Sequence, residues 1–179
     1  MKRHLLFFAL SIISTVTIAQ NTRIKGSIIK NFGTTFTVVN PEIKTDTTAN
    51  LKVIFDVSST SADNKVINKN IVTAARFLNM HAKEGMKLSQ LKVAMTIHGG
   101  AWKDVLSDEA YKKKFGVVNP NSQLIKDLNA AGVDIIICGQ TANFRGIDRP
   151  VVLPEVKFAL SAMTALLQYQ SKGYTFIKF

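Results

Sequence analysis

A cysteine and a histidine in this sequence have the residue types and the placement that nucleophilic chemistry needs. Cys138 is the only cysteine of the 179 residues, and it closes the apolar, β-branched run 133–138 just before Gly139. His98 closes a second apolar run, 91–98. Parallel strands end at one edge of their sheet, which is where such sheets bind ligands. A thiol and an imidazole at two strand ends are therefore candidates for a nucleophile and its base.

The chemistry of Cys138 depends on whether its thiol ionises, because the thiolate is the nucleophile. Arg145 and Arg149 follow in the polar stretch 139–150, which we predict to be a loop. If that loop folds back, its cations would stabilise a thiolate. The alternative is an inert cysteine, buried as a small hydrophobic residue. His98 is likewise either a general base or a structural histidine bonded to a loop carbonyl.

Other chemistries lack a pattern in the chain. Cysteine and histidine show no metal-ligand spacing and no acidic cluster accompanies them, so we expect no metal. The glycines after His98 and Cys138 match neither a phosphate loop nor a dinucleotide fingerprint, so we expect no cofactor. Trp102, which follows Gly99 and Gly100, either lines a pocket or packs at a domain or subunit contact.

The N-terminus predicts export. Basic residues 1–4 precede the apolar run 5–13, and Thr17 and Ala19 are small residues suited to a cleavage site. We therefore predict that residues 1–19 are a signal peptide, the alternative being an uncleaved anchor. After its removal we expect no membrane span and a protein located in the periplasm or secreted. An exported chain with one cysteine has no internal disulfide.

The charge of the chain indicates a solvated surface. Removal of Lys2 and Arg3 with the signal peptide lowers the net charge from +11 to +9. The remaining basic residues are scattered, and only 112–114 form a run. A nucleic-acid-binding face would cluster its cations and interleave aromatic side chains. We therefore predict no nucleic-acid partner.

The remaining chain alternates between strand and helix patterns after a polar N-terminal arm and linker over residues 20–50. The predicted strands are 51–57, 91–98, 134–138 and 174–179, with amphipathic helical segments between them. Residues 154–167 are ambiguous, being either one long helix or a short strand, 156–159, followed by a helix from Ser161. The alternation predicts a single α/β domain over residues 51–179, with a mostly parallel sheet of about five strands.

Several of these stretches together resemble the DsrE/DsrF-like (YchN-like) sulfur-relay family, in particular its small exported members. They are 51–57, 92–99, 132–138 with Arg145 and Gly146 downstream, and 173–177. The resemblance extends over about residues 35–179. It implies a three-layer α/β/α domain that assembles into trimers or hexamers, and it favours the strand over residues 156–159. It also implies that Cys138 carries a persulfide.

We therefore expect an exported, homo-oligomeric DsrE-like protein that binds or relays sulfane sulfur through Cys138, with His98 and Arg145 as supporting groups. Such a protein would be a sulfur carrier rather than a turnover enzyme, and the sequence names neither its sulfur donor nor its acceptor. The alternative is a non-catalytic oligomeric binding or assembly module of the cell envelope, in which Cys138 is structural.

Overall fold

The computed structural model describes residues 23–178, and strands and helices alternate along them. The strands are β1 (Leu51–Val57), β2 (Leu91–Ile97), β3 (Asp134–Cys138), β4 (Val156–Ala159) and β5 (Thr175–Lys178). The α-helices are α1 (Lys69–Lys83), α2 (Asp108–Phe115), α3 (Ser122–Ala130), α4 (Gly139–Arg145) and α5 (Ala162–Ser171). Short 3₁₀ segments cover Leu88–Gln90, Gly99–Val105 and Arg149–Val151.

The five strands form one sheet in the order β4-β3-β2-β1-β5, and every neighbouring pair is parallel. The predicted α/β class with a parallel sheet is therefore confirmed. Ile97 of β2 lies opposite Ile137 of β3. His98 and Cys138, the next residues along, consequently leave the sheet at the same edge.

The sheet is covered on both faces, which is why its strands consist of nearly continuous apolar runs. Side chains of one face, such as Phe55, Met95 and Ile137, belong to a core shared with α1 and α3. Alternate strand residues point to the opposite face. That face carries buried Ile54, and α5 packs across it in contact with all five strands. The result is the expected three-layer α/β/α domain.

Two ambiguous regions of the sequence are resolved by the fold. Residues 156–159 are a strand, β4, and α5 begins after Ser161, whose hydroxyl accepts the backbone N–H of Thr164 at 3.0 Å. The predicted loop over residues 139–150 is wrong in its first half, because α4 starts immediately after Cys138. Only Ala142 of α4 is buried, so this helix has no apolar stripe that a sequence pattern would reveal.

The arm before β1 is held to α1 by one buried amide. The Asn79 side chain accepts the backbone N–H of Ile28 and Ile29, and it donates to the carbonyl groups of Ile29, Phe32 and Gly33. Ile29 itself is buried in the main core. The arm is therefore fixed against α1 and adds no strand to the sheet.

The predicted signal peptide, residues 1–19, lies outside the described residues. Between residues 23 and 178, no helix is long and apolar enough to cross a membrane. The division of the chain into signal peptide, arm and domain therefore stays a prediction at its N-terminal boundary.

We predict that Asn79→Ala releases the arm, because it leaves buried backbone groups of Ile29 without partners. The free energy of unfolding should fall by about 2–3 kcal/mol, and protease should cut the arm sooner. Urea denaturation and limited proteolysis measure the two effects. The matched control is Asn70→Ala on the same helix, where an exposed hydrogen bond to Ser59 is lost and the change should stay within about 0.5 kcal/mol. Equal effects of the two substitutions would contradict the assignment.

Candidate functional site

Cys138 lies where β3 passes directly into α4. It is the last residue of the strand and the N-cap of the helix, and 6% of its surface is exposed. Gly139 follows at a point where β3 and β4 come very close. A Cβ atom at this position would lie 2.5 Å from the carbonyl oxygen of Ala159, so only glycine fits. The thiol is thus fixed at the junction of two strand ends.

Polar groups at the starts of two helices act on the sulfur. The backbone N–H of Thr141 in α4 approaches Sγ at 3.5 Å. Burial raises the pKa of Cys138, but hydrogen bonds from the hydroxyl and N–H of Thr141 and from the N–H groups of Ala162 and Gln140 outweigh it, and the pKa is lowered. Ala162 is the first residue of α5. N–H groups at helix starts have no partners within the helix and favour negative charge, so they stabilise a thiolate here.

His98 belongs to a separate cluster around the buried carboxylate of Asp56. Its Nε2 lies 2.7 Å from Asp56 Oδ1, which also accepts the hydroxyl of Thr96 at 3.0 Å. Lys178 Nζ lies 3.1 Å from Asp56 Oδ2. Burial raises the pKa of the Asp56 carboxyl. The hydrogen bond from Lys178 and the charge and hydrogen bond of His98 together lower that pKa by more, so the net shift is downward and the carboxylate stays ionised. The imidazole is therefore oriented by a carboxylate.

The Cys138 thiol and the cluster of Asp56 and His98 lie on the same face of the sheet. Asp56 pairs in register with Thr96, and Cys138 occupies the position on β3 that follows Ile137, opposite Ile97. His98 therefore leaves the sheet edge level with Cys138. Its side chain bonds to Asp56 on β1, which lies on the opposite side of β2 from β3. The structure brings the predicted thiol and imidazole to one edge, as neighbours in the sheet rather than as a hydrogen-bonded pair.

The two predicted arginines contact groups other than the sulfur. Arg145 is the last residue of α4, about 10 Å along the helix from Cys138, and its guanidinium lies 5.6 Å from the Trp102 ring centroid. Arg149 donates to the carbonyl oxygens of Leu153 and Val156. The reason is local structure: a helix occupies the stretch that we expected to fold back as a loop.

Two partners of the site were missed by sequence reasoning. Thr141 and the N–H of Ala162 reach the sulfur only because α4 and α5 begin there, and neither residue type signals that role. A third partner, Asp56, did leave a signal, since it is the only carboxylate in the strand Leu51–Val57 and sits among apolar residues. Within residues 23–178, no group of three or more His, Cys, Asp or Glu side chains could hold a metal ion.

Cys138 thus ends a parallel strand of a three-layer α/β/α domain. The profile of the DsrE/DsrF-like family matches residues 52–179, and the chain belongs to that family. No curated protein sequence matches the chain significantly.

Two solved structures share the fold. The first, a protein of unknown function, MTH1491 from Methanobacterium thermoautotrophicum, is 15% identical, with a TM-score of 0.55. The second, the ychN protein from E. coli, is 16% identical, with a TM-score of 0.53. Each alignment covers 72% of this chain and 99% of the other. At these identities the likeness shows the fold alone.

We predict that Thr141→Val raises the pKa of Cys138, because it removes a hydroxyl that bonds to the sulfur and keeps the backbone N–H. The rate of alkylation by iodoacetamide follows the thiolate population. Its midpoint should therefore move to higher pH, and the rate at about pH 7 should fall by about threefold to tenfold. Thr73→Val on α1 is the matched control, with no expected change. An unchanged midpoint in Thr141→Val would contradict the role of the hydroxyl.

Proposed function

We propose that this protein is an exported sulfur carrier in which Cys138 accepts sulfane sulfur as a persulfide. The observation that supports this most is the environment of Sγ, where the starts of α4 and α5 supply the hydrogen bonds that lower its pKa. A carrier needs a thiol that is ionised near neutral pH and that can release its cargo again. Membership of the DsrE/DsrF-like family is consistent with sulfur-relay chemistry.

The transfer step is a thiolate displacement on a donor persulfide or polysulfide. The Cys138 thiolate attacks the terminal sulfur of R–S–SH, a new Sγ–S bond forms, and the donor S–S bond breaks. The electron pair of that bond leaves on the donor as R–S⁻, so the products are a Cys138 persulfide and a thiolate, with no net oxidation. Attack of an acceptor thiolate on the outer sulfur reverses the step and restores Cys138.

His98 is the group we assign to proton handling at this edge. Asp56 holds its ring in place, and 27% of the His98 side chain is exposed, so the imidazole can exchange protons with solvent and with an entering donor. Arg145 has no part in the proposed step, because its contacts are with Trp102 and Phe144 at the other end of α4.

A second candidate function is favoured by the outer surface of α5. Met163 and Leu167 of α5, and Leu160 just before it, are each about 70% exposed, so this layer presents apolar side chains to the outside. Apolar surface of this kind is typical of a subunit contact. We propose that α5 packs against another copy of the chain in a trimer or hexamer. A non-catalytic assembly module would use the same surface and leave Cys138 unreactive.

We predict that native protein treated with inorganic polysulfide gains one sulfur atom per chain, and that Cys138→Ser gains none. Intact-mass spectrometry measures the difference. Serine keeps an acceptor at the N-cap of α4, so the control variant should remain folded. No added sulfur on the native protein, or equal addition to both chains, would overturn the proposal. A thiol that alkylating reagents reach only after unfolding would instead support the structural alternative.

We predict that the mature protein recovered from its expressing cells begins at Gln20 and is a trimer or hexamer. Denaturing mass spectrometry tests the first point and native mass spectrometry the second. Leu167→Asp should produce monomers, because it places a charge on the apolar α5 surface, whereas Gln168→Asp should leave the assembly intact. An unprocessed N-terminus refutes cleavage after Ala19 and favours the uncleaved anchor, and a monomeric wild-type protein refutes the assembly.

A further inference from the structure

A cavity lies at the far end of α4 from the thiol. Its volume is about 460 Å³, and α2 and α4 form part of its wall. Buried Leu106 and Ile147 supply apolar surface, and Trp102 lines one side. Its size is within the range of cavities that hold small molecules. Nothing in the proposed sulfur transfer uses it.

The lining is cationic. Lys113, Lys114 and Arg145 all line the cavity, and no carboxylate is among its lining residues. Lys114 Nζ lies 5.2 Å from the Trp102 ring centroid, and Arg145 Cζ lies 5.6 Å from it. The acidic residues of α2 are in its first turn, whereas the lysines are in its last. A positive rim therefore surrounds an apolar and aromatic interior.

We propose that this cavity binds a small amphiphilic anion, with its apolar body against Leu106, Ile147 and Trp102 and its acidic group between Lys114 and Arg145. Charge complementarity selects the ligand class, because a carboxylate, sulfonate or phosphate would satisfy cations whose described contacts are with aromatic rings, Trp102 for Lys114 and Trp102 and Phe144 for Arg145. The apolar lining selects against a bare inorganic anion. Ligand binding at this site takes no part in the proposed sulfur transfer.

The chain offers a local probe, since Trp102 is its only tryptophan and gives a single indole N–H resonance. We expect that resonance to shift on titration with 8-anilinonaphthalene-1-sulfonate. N-phenyl-1-naphthylamine, which has the same ring body without the sulfonate, should bind more weakly by about tenfold. Comparison of the two probes separates the contribution of the acidic group from that of the rings.

Charge reversal within one lysine run supplies the matched variants. Lys114→Glu should weaken binding of the sulfonate probe about fivefold to tenfold, because Lys114 lines the cavity. Lys112→Glu makes the same change of charge two residues earlier, outside the lining, and should leave binding within about twofold. Circular dichroism checks that both variants are folded. Equal weakening by the two variants, equal binding of the two probes, or an unshifted indole resonance would each overturn the proposal.

Discussion

The close approach of β3 and β4 at Gly139 is the constraint on which the site depends. The backbone of Gly139 lies so near the Ala159 carbonyl that no side chain fits between them. Because α5 begins three residues after Ala159, this approach also brings the first N–H of α5 to the sulfur of Cys138. The thiol therefore gains hydrogen bonds from two helices through one strand contact.

At this edge of the sheet, burial and polar neighbours shift the pKa of a group in opposite directions. The polar neighbours have the larger effect on both Cys138 and Asp56. Burial raises the pKa of Cys138 and of Asp56, yet each pKa is lowered. The Cys138 thiolate is stabilised by neutral N–H and O–H donors, whereas the Asp56 carboxylate is stabilised by Lys178 and His98. Since a lowered pKa means that the ionised form favours folding, the contribution of Asp56 is present above its unfolded pKa and is lost as acid protonates it.

Much of the fold could be predicted from the sequence, because residues close together in the chain set the strand and helix patterns. The apolar runs that end at Ile97 and Cys138 are strands of a parallel sheet, as their sequence pattern predicts. The helix α4 was missed because its sequence carries only one buried residue and looks like a polar loop. That error led to the expectation that Arg145 folds back towards the thiol.

The partner of the thiol on α5 could not be predicted, because its position depends on strand order, whereas Thr141 lies only three residues after Cys138. Ala162 is near Cys138 in space only because β4 lies beside β3, and no residue pattern in the chain encodes that neighbour. The sequence could place Cys138 at a strand end, and it could not say which donors the sulfur would meet there. The chemistry of this site is consequently a property of the tertiary structure.

Direct titration of the thiol tests the central claim, which is that the starts of two helices lower the pKa of Cys138. The measurement is the ultraviolet absorbance of the thiolate against pH in the folded protein, with Cys138→Ser subtracted as background. The titration midpoint should lie below that of the same thiol in urea-unfolded protein, which we expect at about 8.5. A folded-state midpoint equal to or above the unfolded one would contradict the account.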